Sequence, residues 1–287
     1  MASMRDIKRR KDSIQSTQQI TRAMKLVSTV KLQRARARAE SSKPYFDKMY
    51  ATMQSILSKS GNIDHPYLVH NGSDKKAVLV VTSNRGLAGG YNSNVVKLVT
   101  EGGFSAEDTE VYGIGKKGVE ALTRRGYHVV ADYSDVINEP LFSDAAAIGK
   151  QVLDAYAAGE IGEIYMACTS FKNTVVHIPK MVKLLPVEVE SAGEVSEEEK
   201  NTPMNYEPEP EESLDMIIPK YINSTIFGAF IEAAASENGA RMQAMDAATS
   251  NAEDMIATLS LAYNRARQGA ITQELTEIIS GAEALNE

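Results

Sequence analysis

Residues 245–285, MDAATSNAEDMIATLSLAYNRARQGAITQELTEIISGAEAL, decide the architecture. Apolar or small residues recur there at alternating steps of three and four: Met245, Ala248, Ala252, Met255, Leu259, Ala262, Ala266 and Gly269. That spacing is a coiled-coil seam, and its alanines and glycine let a second backbone approach closely. The stripe continues through Ile271, Leu275, Ile278, Ala282 and Leu285. A helix so built cannot bury its own apolar face, so it needs a partner. Within this chain the N-terminal segment offers one, with Ile20, Ala23, Val27 and Val30 at the same spacing. Pro44 is expected to kink or break that first helix, because proline lacks the backbone donor and crowds the preceding turn.

Between the two helices the pattern changes. Ala77–Ser83 (AVLVVTS) is a continuous apolar run of strand length, as in a parallel strand buried on both faces. The turn NRGLAGG follows, then a helix over Tyr91–Thr100. Strands over 109–114, 128–133 and 163–171 alternate with helices over 116–125 and from a Ser143 cap to about Ala158. After the turn at Lys172-Asn173, hairpin strands at the sheet edge follow. The expected fold is α/β, a long antiparallel coiled coil of N- and C-terminal helices plus a Rossmann-like open α/β sheet domain. Its expected parts are an N-terminal coiled-coil helix (1–60), an α/β domain (75–190), an acidic loop or hairpin (191–212) and a C-terminal helix (213–287). Residues 188–212 hold ten glutamates and prolines 203, 208 and 210, which suit an exposed segment.

Length adds a further expectation. The last helix, counted from Ser213 to Leu285, outruns the first, Ser3 to Lys59, by about 24 Å at 1.5 Å per residue. The overshoot carries Ile271, Leu275, Ile278, Ala282 and Leu285, an apolar stripe with no intrachain partner and hence an interaction surface.

Composition narrows the chemistry. Residues 5–38 carry eleven Lys/Arg and two acids, on a chain whose net charge is −7. Nucleic-acid binding is disfavoured, because no aromatic residue interrupts this basic stretch to stack on bases. One cysteine, Cys168, excludes an internal disulfide and lies in an apolar strand-like run. The four histidines have no metal-ligand spacing, so neither a metal nor a cofactor is expected. No apolar run approaches a membrane span, and the N-terminus has no secretory h-region. The rival enzyme reading rests on Gly113, Gly115 and Gly118, a formal GxGxxG with Asp132 near the distance of a ribose ligand. Its position after the second strand, with no acid–base pair alongside, favours packing glycines. Asn84–Gly90 lacks the Lys-Ser/Thr of a phosphate loop. A passive coiled-coil adaptor is the third reading, and it leaves the overshooting tip unexplained.

Four stretches, TQQITRAMKLVSTVKLQRARA (17–37), SNRGLAGGYN (83–92), SENGARMQAMDAATSNAEDMI (236–256) and LAYNRARQGAITQELTEIISGAEAL (261–285), resemble the gamma subunits of F-type ATP synthases. The resemblance runs end to end. It implies a non-catalytic rotor shaft that couples ion flow to ATP synthesis or hydrolysis on other subunits. It also implies a hexamer collar of alpha and beta subunits around the coiled coil, with an epsilon subunit and a c-subunit ring at the α/β domain. The site would be peripheral, at the cytoplasmic face of a bacterial cell membrane. The family's Arg-Gln contact to a beta loop falls on Arg267 and Gln268, with Thr272 and Glu274 on adjoining rows of the same helix side. Met24 would seat the first helix against the last. Two departures stand out: Ala88 where the family often has cysteine, and Gly269 where alanine is usual. The cysteine-bearing regulatory segment of chloroplast members is missing.

Overall fold

The computed structural model describes residues 4–59, 65–187 and 210–284. The acidic stretch 188–209 and Leu285 lie outside them. Helix α1 spans Met4–Lys59, and the last helix, α5, spans Pro210–Ala284. Between them run β1 (Lys76–Val81), α2 (Tyr91–Thr100), β2 (Thr109–Ile114), α3 (Lys116–Thr123), β3 (His128–Asp132), α4 (Phe142–Ala157), β4 (Glu163–Phe171) and β5 (His177–Leu185).

The chain forms two compact units. One comprises residues 1–28 with 242–287, the other residues 29–241. Both long helices contribute to both units.

In the larger unit the sheet order is β3-β2-β1-β4-β5, parallel except for β5, which pairs antiparallel to β4. Successive β1 side chains point to opposite faces, and both faces are covered. Ala77, Leu79 and Val81 join a core with Ile148 and Val152 of α4, Met53 and Ile56 of α1, and α5. Val78 and Val80 pack with Val95, Val96 and Val99 of α2 and Leu122 of α3. The α5 contribution is an i, i+4 row, Leu214, Ile218, Ile222, Ile226 and Phe230, all fully buried. Each such side chain contributes about 1.5–3 kcal/mol of burial.

Three local expectations are corrected. Pro44 does not break α1, which continues to Lys59: the lost backbone bond and the ring clash cost about 3 kcal/mol, which the rest of a helix of 56 residues outweighs. Ser143 is not the α4 cap: the helix begins at Phe142, and Asp144 accepts the Leu141 backbone N–H at 3.0 Å. Leucine has no side-chain acceptor, so only half of a capping box forms. Finally, the edge hairpin forms as expected between β4 and β5, but its second arm is one strand of nine residues.

Candidate functional site

In the smaller unit the two helices pair antiparallel. Thr21 lies opposite Thr249 with their hydroxyl oxygens 2.8 Å apart, Lys25 pairs with Asp246 at 2.6 Å, and the Gln18 amide donates to Glu253 at 3.1 Å. The α5 side of the seam buries Met245, Thr249 and Ala252, followed by half-buried Ile256, Leu259, Ala262 and Ala266; Met255 is exposed. On α1 the expected stripe is corrected. Ile20 (57% exposed), Ala23, Val27 and Val30 face solvent. The inward row is Ile7, Ile14, Thr21 and Ser28 at seven-residue spacing, with Met24 half-buried beside it. Thr21 can face inward because its hydroxyl, meeting that of Thr249, is satisfied, and its small side chain lets the backbones approach.

Extending this register brings Met4 level with Arg267. No turn of α1 lies opposite Gln268–Ala284, about 25 Å of helix. Every residue from Ile271 to Ala282 is exposed, Ile278 at 67%. Arg267, Gln268, Thr272 and Glu274 are exposed as well. Thr272 spends its hydroxyl proton on the Gln268 carbonyl at 2.9 Å, while the Gln268 amide faces out. Arg267 forms no ion pair with Glu274 among the described residues. Two helical turns of rise separate them.

The sheet's C-terminal edge, the customary ligand position of an open α/β fold, is filled by the chain itself. Asn84 Oδ1 accepts the Lys116 N–H at 3.0 Å, the Ser83 carbonyl accepts that of Lys117 at 3.1 Å, and Thr82 Oγ1 accepts that of Gly118 at 2.9 Å. These are the α3 amides that would cradle a phosphate. The glycines pack: a Cβ on Gly115 would lie 2.2 Å from the Thr82 carbonyl oxygen, and one on Gly118 2.7 Å from Thr82 Oγ1. Asp132 accepts from the Ser134 backbone at 2.9 Å and from its hydroxyl. The GxGxxG is therefore a packing device, and Thr82, which sequence reasoning overlooked, is its key.

Other reactive groups are absorbed too. Cys168 is fully buried, and desolvation pushes its thiol up to about 12. His65 is buried, accepts the Tyr67 N–H at Nδ1, and so directs its Nε2 proton to Asp215 at 3.2 Å. No group of His, Cys, Asp and Glu among the described residues fits a metal ion.

What remains is a coiled coil with one bare end, joined in sequence to a sealed α/β domain. The comparisons say which proteins are built this way. A family model for ATP synthase matches residues 3–285. The ATP synthase gamma chain of Lachnoclostridium phytofermentans is 66% identical, with all of both chains covered. That of Alkaliphilus metalliredigens is 45% identical over 98% of each. The sodium-ion-specific gamma chain of Acetobacterium woodii is 42% identical over 99% of each. In fold the chain is similar to a chain of the Euglena gracilis mitochondrial ATP synthase, from an OSCP/F1/c-ring structure, with TM-score 0.73 at 20% identity and 98% and 94% of the two chains covered. The chain belongs to the ATP synthase gamma-chain family. It is a central rotor shaft of an F-type ATP synthase, coupling ion flow to the catalytic cycle while catalysing nothing itself. It works as part of a membrane-associated complex, and none of its described helices is long and apolar enough to cross a membrane.

Proposed function

We propose that the bare end of α5 is the part of the rotor sheathed by a collar of alternating alpha and beta subunits. The single observation carrying this reading is the run from Ile271 to Ala282, helical and wholly exposed. Burying Ile271, Leu275 and Ile278 in a collar would return about 1.5–3 kcal/mol each. Leu285 extends the same stripe in sequence. Arg267, Gln268, Thr272 and Glu274 form the polar grip on the beta subunits, where a planar guanidinium suits a beta carboxylate. Met24, half-buried beside the inward row, seats α1 against α5. The helix regions 1–60 and 213–287 make the shaft. The domain at 75–190 is the foot, bound to epsilon and the c ring at the cytoplasmic face of a bacterial membrane.

A shaft changes catalytic states only through contacts that differ among the interfaces it meets. This coiled coil supplies the difference: one side presents the outward Ile20/Val27 stripe of α1, the other the faces of α5. Rotation then passes each side to the next interface. The test is Ile271→Asp with Ile278→Asp. Assembly with alpha and beta should weaken, while thermal unfolding of the sheet stays unchanged. Full assembly by the doubly substituted chain would remove the tip from the collar.

A further inference from the structure

Glu237 and Arg241 lie one turn apart on α5, their side chains only 16% and 11% exposed, with carboxylate and guanidinium 2.6 Å apart. The other guanidinium nitrogen reaches out of the helix and donates to the carbonyls of Arg85 at 3.2 Å and Gly86 at 3.3 Å. Those carbonyls belong to the turn that follows β1. The same turn is tied to α2, where Asn92 Oδ1 accepts the Ser83 N–H at 2.9 Å. It is tied to the end of β3, where the Asn84 amide donates to the Ser134 carbonyl at 2.7 Å, and to α3 through Lys116. Just beyond it, the Tyr91 hydroxyl donates to the Ala233 carbonyl of α5 at 3.3 Å. One turn thus binds four elements of the α/β domain together, and Arg241 fastens it to α5.

Most of the rest of α5 against the sheet is the apolar row from Leu214 to Phe230, with the Tyr91 hydroxyl on Ala233 and a half-exposed Lys180–Glu232 pair at 3.9 Å as further polar ties. Apolar packing resists separation, but it is non-directional and holds a helix weakly against rotation about its own axis. One guanidinium nitrogen giving its two protons to two carbonyls of the turn, while the other is held by Glu237, is directional. Its place matters as well: Arg241 is the last α5 residue of the larger compact unit.

We propose that the Glu237–Arg241 pair is the joint through which the α/β domain transmits torque to α5. It is a positioning pair: Glu237 holds the guanidinium, and the guanidinium holds the helix to the turn. The proposal rests on the rotor role and adds to it the residues that carry the load.

The experiment uses the assembled complex with a rod attached to the chain at Glu107→Cys, the buried Cys168 being protected from labelling. In Arg241→Ala the thermal angular variance of the rod at a fixed catalytic dwell should widen about twofold, and the amides of residues 84–91 should exchange roughly tenfold faster, the scale of losing a charge-assisted hydrogen bond. Arg241→Lys, with one nitrogen to serve both Glu237 and the carbonyls, should lie between variant and parent. A purely structural role would lower the melting temperature without widening the variance. Parental variance in a rotating Arg241→Ala complex overturns the joint. Should that complex fail to assemble, Glu237→Gln keeps the fork, loses its charged anchor and should widen the variance by less; parental variance there overturns the joint equally. A parent complex that never rotates would instead strike at the rotor role itself.

Discussion

Thr21 and Thr249 hydrogen-bond to each other across the coiled coil, oxygen to oxygen at 2.8 Å, and both are buried. Thr249 also donates to the Met245 carbonyl at 2.7 Å, so the pair is saturated when Thr21 donates to Thr249. It lies between Lys25–Asp246 and Gln18–Glu253, and together the three contacts fix the register that leaves the α5 tip bare.

Thr21→Val strands no buried proton, because Thr249 keeps its bond to Met245, and should cost about 1 kcal/mol. Replacing both threonines by valine should cost no more than the single change, since two apolar groups of the same shape then meet. A double-mutant cycle on thermal unfolding reads the coupling. Additive losses would mean that the two hydroxyls act separately. The exposed Lys25–Asp246 pair should contribute less, and less again at high salt.

Gly115 and Gly269 should respond in opposite directions to alanine. Gly115 has φ +117°, and its added Cβ would press on the Thr82 carbonyl, so Gly115→Ala should cost roughly 3 kcal/mol or more. Gly269 lies in an open helix with nothing near its Cβ position, so Gly269→Ala should favour the helix by about 1 kcal/mol. Circular dichroism melts of the two variants decide both signs.

His177 should make the protein acid-sensitive. Burial lowers its pKa below the ordinary value, partly opposed by a backbone hydrogen bond at Thr174. The unfolded chain then binds the proton more readily than the folded one. This contribution to stability is complete above the unfolded pKa of about 6.5 and declines as pH falls through it. His177→Gln should flatten the melting temperature between pH 7.5 and 5.5. A variant that keeps the parental slope would assign the loss to other groups.

The grip residues should act on turnover and leave folding alone. Arg267→Ala with Gln268→Ala alters two exposed side chains, so the isolated chain should keep its helicity. In the assembled complex ATP turnover should fall. The parental rate after verified assembly would exclude Arg267 and Gln268 from the coupling path.

The α/β domain was legible in sequence because β1, buried on both faces, is an uninterrupted apolar run of strand length, rich in β-branched valine and followed by a glycine-rich turn, which separates it from a buried helix. The α1 seam was not. Two adjacent stripes compete there, Ile20/Ala23/Val27 and Ile14/Thr21/Ser28, and a hydropathy rule selects the first. The choice turns on whether a buried hydroxyl finds a partner, and Thr249 lies 228 residues away. The bare tip was legible from helix lengths, although its starting point needed the register. Thr82 and Arg241 were missed because each acts on backbone groups, which leave no trace in residue type. For Arg241 there was one usable signal: an i, i+4 pair of opposite charges, Glu237 and Arg241, in a stretch otherwise made mostly of small residues.

The exposed end of α5 also bears on how much of this chain a cell can tolerate. About five turns of helix without tertiary support are marginal in water, so the tip of an unassembled chain should fray and offer its isoleucines to proteases and to other chains. Copies made in excess of their partners would be cleared first or aggregate first. Supply of the surrounding subunits would therefore have to lead supply of the shaft.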